Sequence, residues 1–205
     1  MSIRGTGLLL HLSTAVPAGL AERFEGVAAQ EFVAALHEDL LDMASTWRRV
    51  GRERHVVVLL DFDEDAAMRR IARRGLIAEV GYVKKSQLVE RVIKALSSHR
   101  TVAVLDQPPP DFALVDIDRL LRRAGEGLAF SADLDGDWAA FALANTAVQV
   151  LSAGADLASF VAEARLADVA LHPMTPLGRI DSESELLALG LRIRERRARA
   201  PRMRR

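Results

Sequence analysis

Two acidic groups stand where an alternating α/β chain usually does its chemistry. The run Thr101-Val102-Ala103-Val104-Leu105 is short, apolar and partly β-branched, and it ends in Asp106, with prolines from Pro108 onward. A carboxylate at the C-terminal end of a buried strand lies where open α/β sheets bind their ligands. About thirty residues later, Asp135-Gly136-Asp137-Trp138 brings more acidic groups to the start of another apolar run. Carboxylate oxygens suit Mg2+ or Mn2+, and a cation held by them can grip a pyrophosphate. Asp106 fits such a cleft, and it also fits an Asx-type turn opening the Pro108-Pro109-Pro110 loop.

The other candidates divide in the same way. Asp-x-Asp occurs within Asp133, Asp135 and Asp137 and again in Asp61-Phe62-Asp63, Asp63-Glu64-Asp65 and Asp116-Ile117-Asp118, too often to carry weight alone. Asp116 and Asp118 suit the start of a helix, whose dipole favours acids there. Asp61, Asp63 and Asp65 read as a loop that starts a helix, and Asp135-Gly136 is also an ordinary tight turn. Arg91 can clamp a phosphate or stay solvated beside Glu90; Trp138 can stack on a sugar or base, or enter the core. His11, His37, His55, His99 and His172 show no metal-ligand spacing and no relay with a serine and an acid. Gly5-Thr6-Gly7 precedes the first strand signal rather than following it, which excludes a dinucleotide fingerprint, and no Walker sequence is present.

Strands and helices must position these groups. Apolar runs of strand length occur at Gly7 to Leu12, His55 to Leu60, Leu76 to Val80, Thr101 to Leu105, Gly127 to Ser131, Trp138 to Leu143 and Asp168 to Leu171. Helical patterns fill Val27 to Thr46, Glu64 to Arg74, Ser86 to Ser98 and Val115 to Ala124. In the third of these, Leu88, Val92 and Leu96 share one stripe. Ser182 and Glu185 have capping-box spacing, so a last helix is expected from Glu183. Strands alternating with helices of this length predict βαβ units and a three-layer α/β sandwich. The turn at Asp135 interrupts the alternation, so the expected central sheet is mixed and mainly parallel.

The 205 residues fit a single domain over 1–191, followed by an Arg-rich tail over 192–205. That tail holds eight Arg and one Glu, a charge of +7, which leaves −7 on the body. A basic tail can hold RNA, an anionic surface or an acidic partner, or remain a solvated helix end. The acidic body makes nucleic acid an unexpected main partner. Cysteine is absent, which excludes disulfides and thiolate metal sites and suits a reducing, cytoplasmic setting. No apolar run approaches the ~18 residues of a membrane-spanning helix, and no signal peptide is read at the N-terminus.

Taken in order, these segments resemble a bacterial glycosyltransferase-A-like family, the transferase 1 associated with radical-SAM and selenodomain proteins. Its strand ending in Ser/Thr-Asp-Cys-Pro is matched by Leu105-Asp106-Gln107-Pro108, and its Asp-Gly-Gly-Tyr by Asp135-Gly136-Asp137-Trp138. Its Leu-Gly-Glu-Arg-Met is matched by Leu88-Val89-Glu90-Arg91-Val92. Its late Asp-Val-Asp-Thr-Pro-Glu-Asp-Leu is matched by the run from Gly178 to Leu186, and its early Asp-Thr-Leu by Asp39-Leu40-Leu41.

The resemblance implies a nucleotide-diphospho-sugar transferase-like sandwich. It also implies a metal-dependent transferase with a nucleotide-activated donor, most simply a nucleotide sugar. Asp106 and Asp181 would hold Mg2+ or Mn2+. Ser13, Thr14, Gly19 and Arg23 of the first loop, with Arg91, would meet the nucleotide. Asp135, Gly136, Asp137 and Trp138 would line the acceptor side. Three departures bear on activity. The first loop has no lysine between Ser13 and Phe24, the second glycine of Asp-Gly-Gly-Tyr is Asp137, and the first acid of the late motif is Arg179. They leave open a second expectation, a non-catalytic relative that binds a ligand or a protein.

Overall fold

The computed structural model describes residues 5–14, 26–51, 53–82, 84–106, 112–133, 136–176, 187 and 191. Seven strands form one sheet: β1 (Thr6–Leu12), β2 (Arg54–Leu60), β3 (Ile77–Val80), β4 (Thr101–Asp106), β5 (Gly127–Ala132), β6 (Trp138–Ala144) and β7 (Ala170–Pro173). Their spatial order is β3-β2-β1-β4-β6-β5-β7. Every pairing is parallel except those of β6, which runs against both β4 and β5. The turn at Gly136 therefore does make the sheet mixed. Gly136 has φ +84, a left-handed backbone that a glycine adopts at little cost.

Helices cover both faces, giving the expected three layers. On one side lie α1 (Gly26–Val50), α2 (Asp65–Arg73) and α4 (Leu114–Ala124). Their Leu40, Ala44, Trp47, Ile71, Ile117 and Leu120 pack on Leu8, Leu10, Leu12, Val58 and Leu105 of the sheet. On the other side lie α3 (Lys85–Leu96), a 3-10 turn (Asn145–Leu151) and α5 (Leu157–Leu166). There Leu88, Val92, Leu96, Val150 and Phe160 cover Leu9, Leu59, Val102, Val104 and Phe141. The stripe expected in α3 is buried, with Leu88, Val92 and Leu96 all at 3% exposure or less. At roughly 1.5–3 kcal/mol for each large apolar side chain buried, these two clusters dominate the stabilisation of the sheet.

The last strand and one helix differ from the sequence expectation, and the 3-10 turn Asn145–Leu151 is a further element that it does not contain. The last strand begins at Ala170, because Asp168 has φ 54, a left-handed backbone that cannot continue into a strand. The segment Leu157–Leu166 is a helix that periodicity did not indicate. Its signal is local: the Asp156 carboxylate accepts from Ser159 N–H at 2.8 Å, an N-cap, and Leu157, Phe160 and Ala164 face inward. The capping pair at Ser182 and the Arg-rich tail lie outside the described residues. Among the described residues, no helix is long and apolar enough to cross a membrane.

Candidate functional site at the sheet edge

The parallel strands β1, β2 and β4 end side by side, and each end carries a polar group. Pairing sets His11 opposite Asp106 on one side and opposite Leu59 on the other. Strand alternation then sends His11 to the α3 face with Leu9, and Asp106 to the same face with Val104. The result is a buried pair, His11 at 6% and Asp106 at 5% exposure, with Nδ1 of the imidazole 2.8 Å from Oδ1 of the carboxylate. Burying a carboxylate requires hydrogen-bonded compensation, and an imidazole one strand away supplies it. Among the described residues, Nε2 of His11 is buried and has no hydrogen-bond partner.

One step further along the same edge, the Ser13 hydroxyl donates to Oδ2 of Asp61, just beyond β2, and the Thr14 N–H lies 3.4 Å from Oδ1. His37 of α1 reaches this group from the other face. Burial holds its imidazole below the ordinary histidine range, although a hydrogen bond to the Ser13 main chain and the nearby Asp61 charge oppose the shift. The three residues form no nucleophile relay, because the imidazole meets the serine backbone and the hydroxyl is turned to the acid. A cavity of about 300 Å³ opens beside them, lined by Thr14, His37, Phe62, Glu64 and Arg70 among others.

The β5–β6 turn is built differently. Lys85, the first residue of α3, sets its Nζ 2.7 Å from Oδ2 of Asp137, 2.8 Å from the Trp138 carbonyl and 3.9 Å from Asp133. It also lies 4.6 Å from the centre of the Trp138 ring. The other Asp137 oxygen, Oδ1, accepts from the N–H groups of Trp138 and Leu157 at 2.8 and 2.9 Å. Burial would raise the Asp137 carboxyl, but Lys85 and the two backbone donors outweigh it and hold it below the usual range. Trp138 is 0% exposed, edge-on to Phe141, with its indole N–H donated to the Ala155 carbonyl at 2.7 Å.

The expected site residues therefore divide. Asp106, Ser13 and Thr14 are brought to one edge, together with Asp61. The Trp138 ring lies in the core, because β6 starts there and alternation turns the indole beneath α5. Asp137 is committed to holding the turn on α3 and α5. Arg91 does not present a vacant guanidinium either. It forks onto Glu79 of β3 at 2.9 and 2.5 Å, tying α3 to the sheet edge. Burial would raise the Glu79 carboxyl, but Arg91 and the Tyr82 hydroxyl bring it below the usual range. Gly136 forms the turn, while Gly19, Arg23, Asp135 and Asp181 lie outside the described residues. The reading of Asp61 as only part of a helix-starting loop is incomplete, since it binds the β1 end. His11–Asp106 is a contact that the spacing of the histidines does not indicate, since strand register sets it.

No family model matches the chain, and no curated protein matches it in sequence. Solved structures do match. A candidate nucleotide-diphospho-sugar transferase from Desulfovibrio desulfuricans aligns over 86% of this chain and 82% of its own, with TM-score 0.69 at 12% identity. CMP:2-keto-3-deoxy-manno-octonic acid synthetase, solved with CTP, aligns over 93% and 99%, with TM-score 0.57 at 12% identity. Glucosyl-3-phosphoglycerate synthase from Mycobacterium tuberculosis, solved with Mn2+, UDP and phosphoglyceric acid, aligns over 93% and 76%, with TM-score 0.54 at 15% identity. The chain has the nucleotide-diphospho-sugar transferase-like fold.

Proposed function

We propose that this chain is a metal-dependent transferase acting on a nucleotide-activated donor, most simply a nucleotide sugar. In this reading it is a divergent member of the radical-SAM and selenodomain-associated transferase 1 family, cytoplasmic, with one domain over 1–191. The observation that carries the reading is the meeting of Asp106, Asp61 and the end of β1 at the C-terminal edge of parallel strands. That edge is the ligand-binding side of open α/β sheets. Structural relatives solved with CTP, or with Mn2+ and UDP, support the same class of donor.

The donor set is compatible with a hard cation. Among the described residues no three His, Asp or Glu side chains converge as a metal cage. Mg2+ asks for less, since it is commonly held by one or two carboxylates with substrate phosphates and water. Asp106 supplies one such carboxylate, and Asp181 is proposed as the second. When bound, the cation would neutralise the charge that develops on a pyrophosphate leaving group. The chain's own groups orient the donor: Thr14 with the first-loop residues Gly19 and Arg23 at the nucleotide. With no lysine in the first loop, Arg23 carries the phosphate charge there.

A thermal-shift panel of nucleoside diphosphates and nucleotide sugars with Mn2+ tests the reading. At least one nucleotide should raise Tm by several degrees, only with metal, and D106N should abolish the shift. A second reading has its own support: Asp106 is 5% exposed and bound to His11, as expected of a carboxylate retained for structure in a non-catalytic binding module. No stabilisation by any nucleotide would favour that module.

A further inference from the structure

A buried imidazole that spends one nitrogen on an acid and leaves the other bare is an expensive arrangement, because buried polar atoms are nearly always paired. Nδ1 of His11 lies 2.8 Å from Asp106 Oδ1, while Nε2 is buried without a partner among the described residues. A carboxylate only accepts, so Nδ1 must carry the proton and donate it. In a neutral ring Nε2 is then the bare acceptor, the less costly of the two atoms to leave without a partner. The pair is fixed from both sides by the ladder, with Leu59 and Asp106 flanking His11 in register.

We propose that His11 is the positioning residue of the sheet-edge site: its Nδ1–H holds the Asp106 carboxylate by Oδ1, so that the carboxylate meets a divalent cation in one fixed orientation. This rests on the metal-dependent reading above and adds a residue to it. Outer partners that orient a ligating carboxylate typically change metal affinity by about 10- to 100-fold when removed. His11 would act through Asp106 and would not touch the ligand itself.

The two nitrogens can be separated by substitution. Asn places an amide nitrogen near the position of Nδ1, Gln places one near Nε2, and Leu supplies neither. Mn2+ is titrated into the full chain with UDP present, and free Mn2+ is counted by electron paramagnetic resonance. H11L and H11Q should weaken Mn2+ about tenfold or more. D106N should do at least as much, and H11N should stay within about threefold of wild type, in the range of a single hydrogen bond. If H11Q keeps affinity while H11N loses it, His11 acts through Nε2 and the proposal fails. If all three His11 variants bind like wild type, His11 has no role in the site, while the metal reading survives. If the wild-type chain binds no Mn2+, the metal reading falls and takes the proposal with it, an outcome distinct from the previous one. Should the variants not fold, long-range proton–nitrogen correlation on the wild-type imidazole decides: a protonated Nδ1 is expected, and a bare Nδ1 overturns the proposal.

Discussion

The two acidic strand ends differ in what their neighbours leave undone. At the β5–β6 turn, Asp137 accepts from Lys85, Trp138 and Leu157, and Lys85 is shared among two carboxylates, a carbonyl and an indole face. At the β1–β4 edge, Asp106 is bound by His11, whose second nitrogen is buried without a partner among the described residues. Both look alike in sequence, an acid beside a short apolar run. The first arrangement is complete, as turns that tie a helix to a sheet should be. The second carries unused hydrogen-bonding capacity in a buried place, which native structures seldom keep without a reason. A buried imidazole nitrogen left without a partner beside the acid, more than the presence of acids, separates the two edges here.

The largest test of that contrast is Trp138→Ala. A ring at 0% exposure, packed against Phe141 and Phe160, should cost about 4 kcal/mol when removed, by lost transfer energy and the cavity left behind. Urea unfolding measures it. If the turn instead served ligand binding with its ring free, the loss would stay below about 1 kcal/mol, as at surface positions.

His11→Leu comes next. It leaves Asp106 buried without its charge-assisted partner, and such half-broken pairs cost about 3 kcal/mol. The double variant H11L/D106L should recover most of that loss, since removing both partners leaves no orphan. If the double variant were no better than the single one, the pair would not be the source of the cost.

Much of the scaffold was legible in the sequence because its signals are local. Val56-Val57-Val58 marks β2, Leu88, Val92 and Leu96 mark α3, and Asp135-Gly136 marks the turn that reverses β6. Helix α5 escaped because exposed Ala158, Ala162 and Leu166 blur the buried stripe of Leu157, Phe160 and Ala164, leaving the Asp156 cap as its clearest signal. The site was harder to read for a topological reason. His11 and Asp106 are 95 residues apart, and Ser13 and Asp61 are 48 apart. Those contacts exist only because β1 inserts between β2 and β4 with a particular register, which no sequence spacing reveals. Trp138 and Arg91 were open to two readings for the opposite reason: each residue type suits a ligand, and only burial and the Glu79 fork decide between them.

Lys85→Met probes the saturated turn more gently. Asp137 keeps its two backbone donors, so the loss is that of the Lys85 bonds to Asp137 and the Trp138 carbonyl and of its contact with the indole face, in a partly exposed site, about 2 kcal/mol. Nucleotide binding in the presence of Mn2+ should be unaffected if the turn is purely structural. A loss of that binding without a loss of stability would move Lys85 into the site and erase the contrast between the two regions.

The smallest effect expected is in the acid limb of stability. The folded Asp137 carboxyl is held below its ordinary range by Lys85 and two N–H donors that outweigh burial. In the unfolded chain an aspartate takes up its proton near pH ~3.9. As pH falls through that value the unfolded state binds the proton first, so stability drops, and the contribution is gone once pH is below the folded value too. Above about pH 5 it is fully present and flat. Glu79 behaves in the same sense under Arg91 and Tyr82, starting from the glutamate value near ~4.3. Asp137→Asn should therefore flatten the decline in unfolding free energy between pH 5 and 3 by a few tenths of a kcal/mol to about 1 kcal/mol, the range of a solvent-screened pair. An acid limb unchanged by Asp137→Asn would mean that Lys85 and the backbone donors do not favour the ionised carboxylate, and the turn could no longer be called saturated.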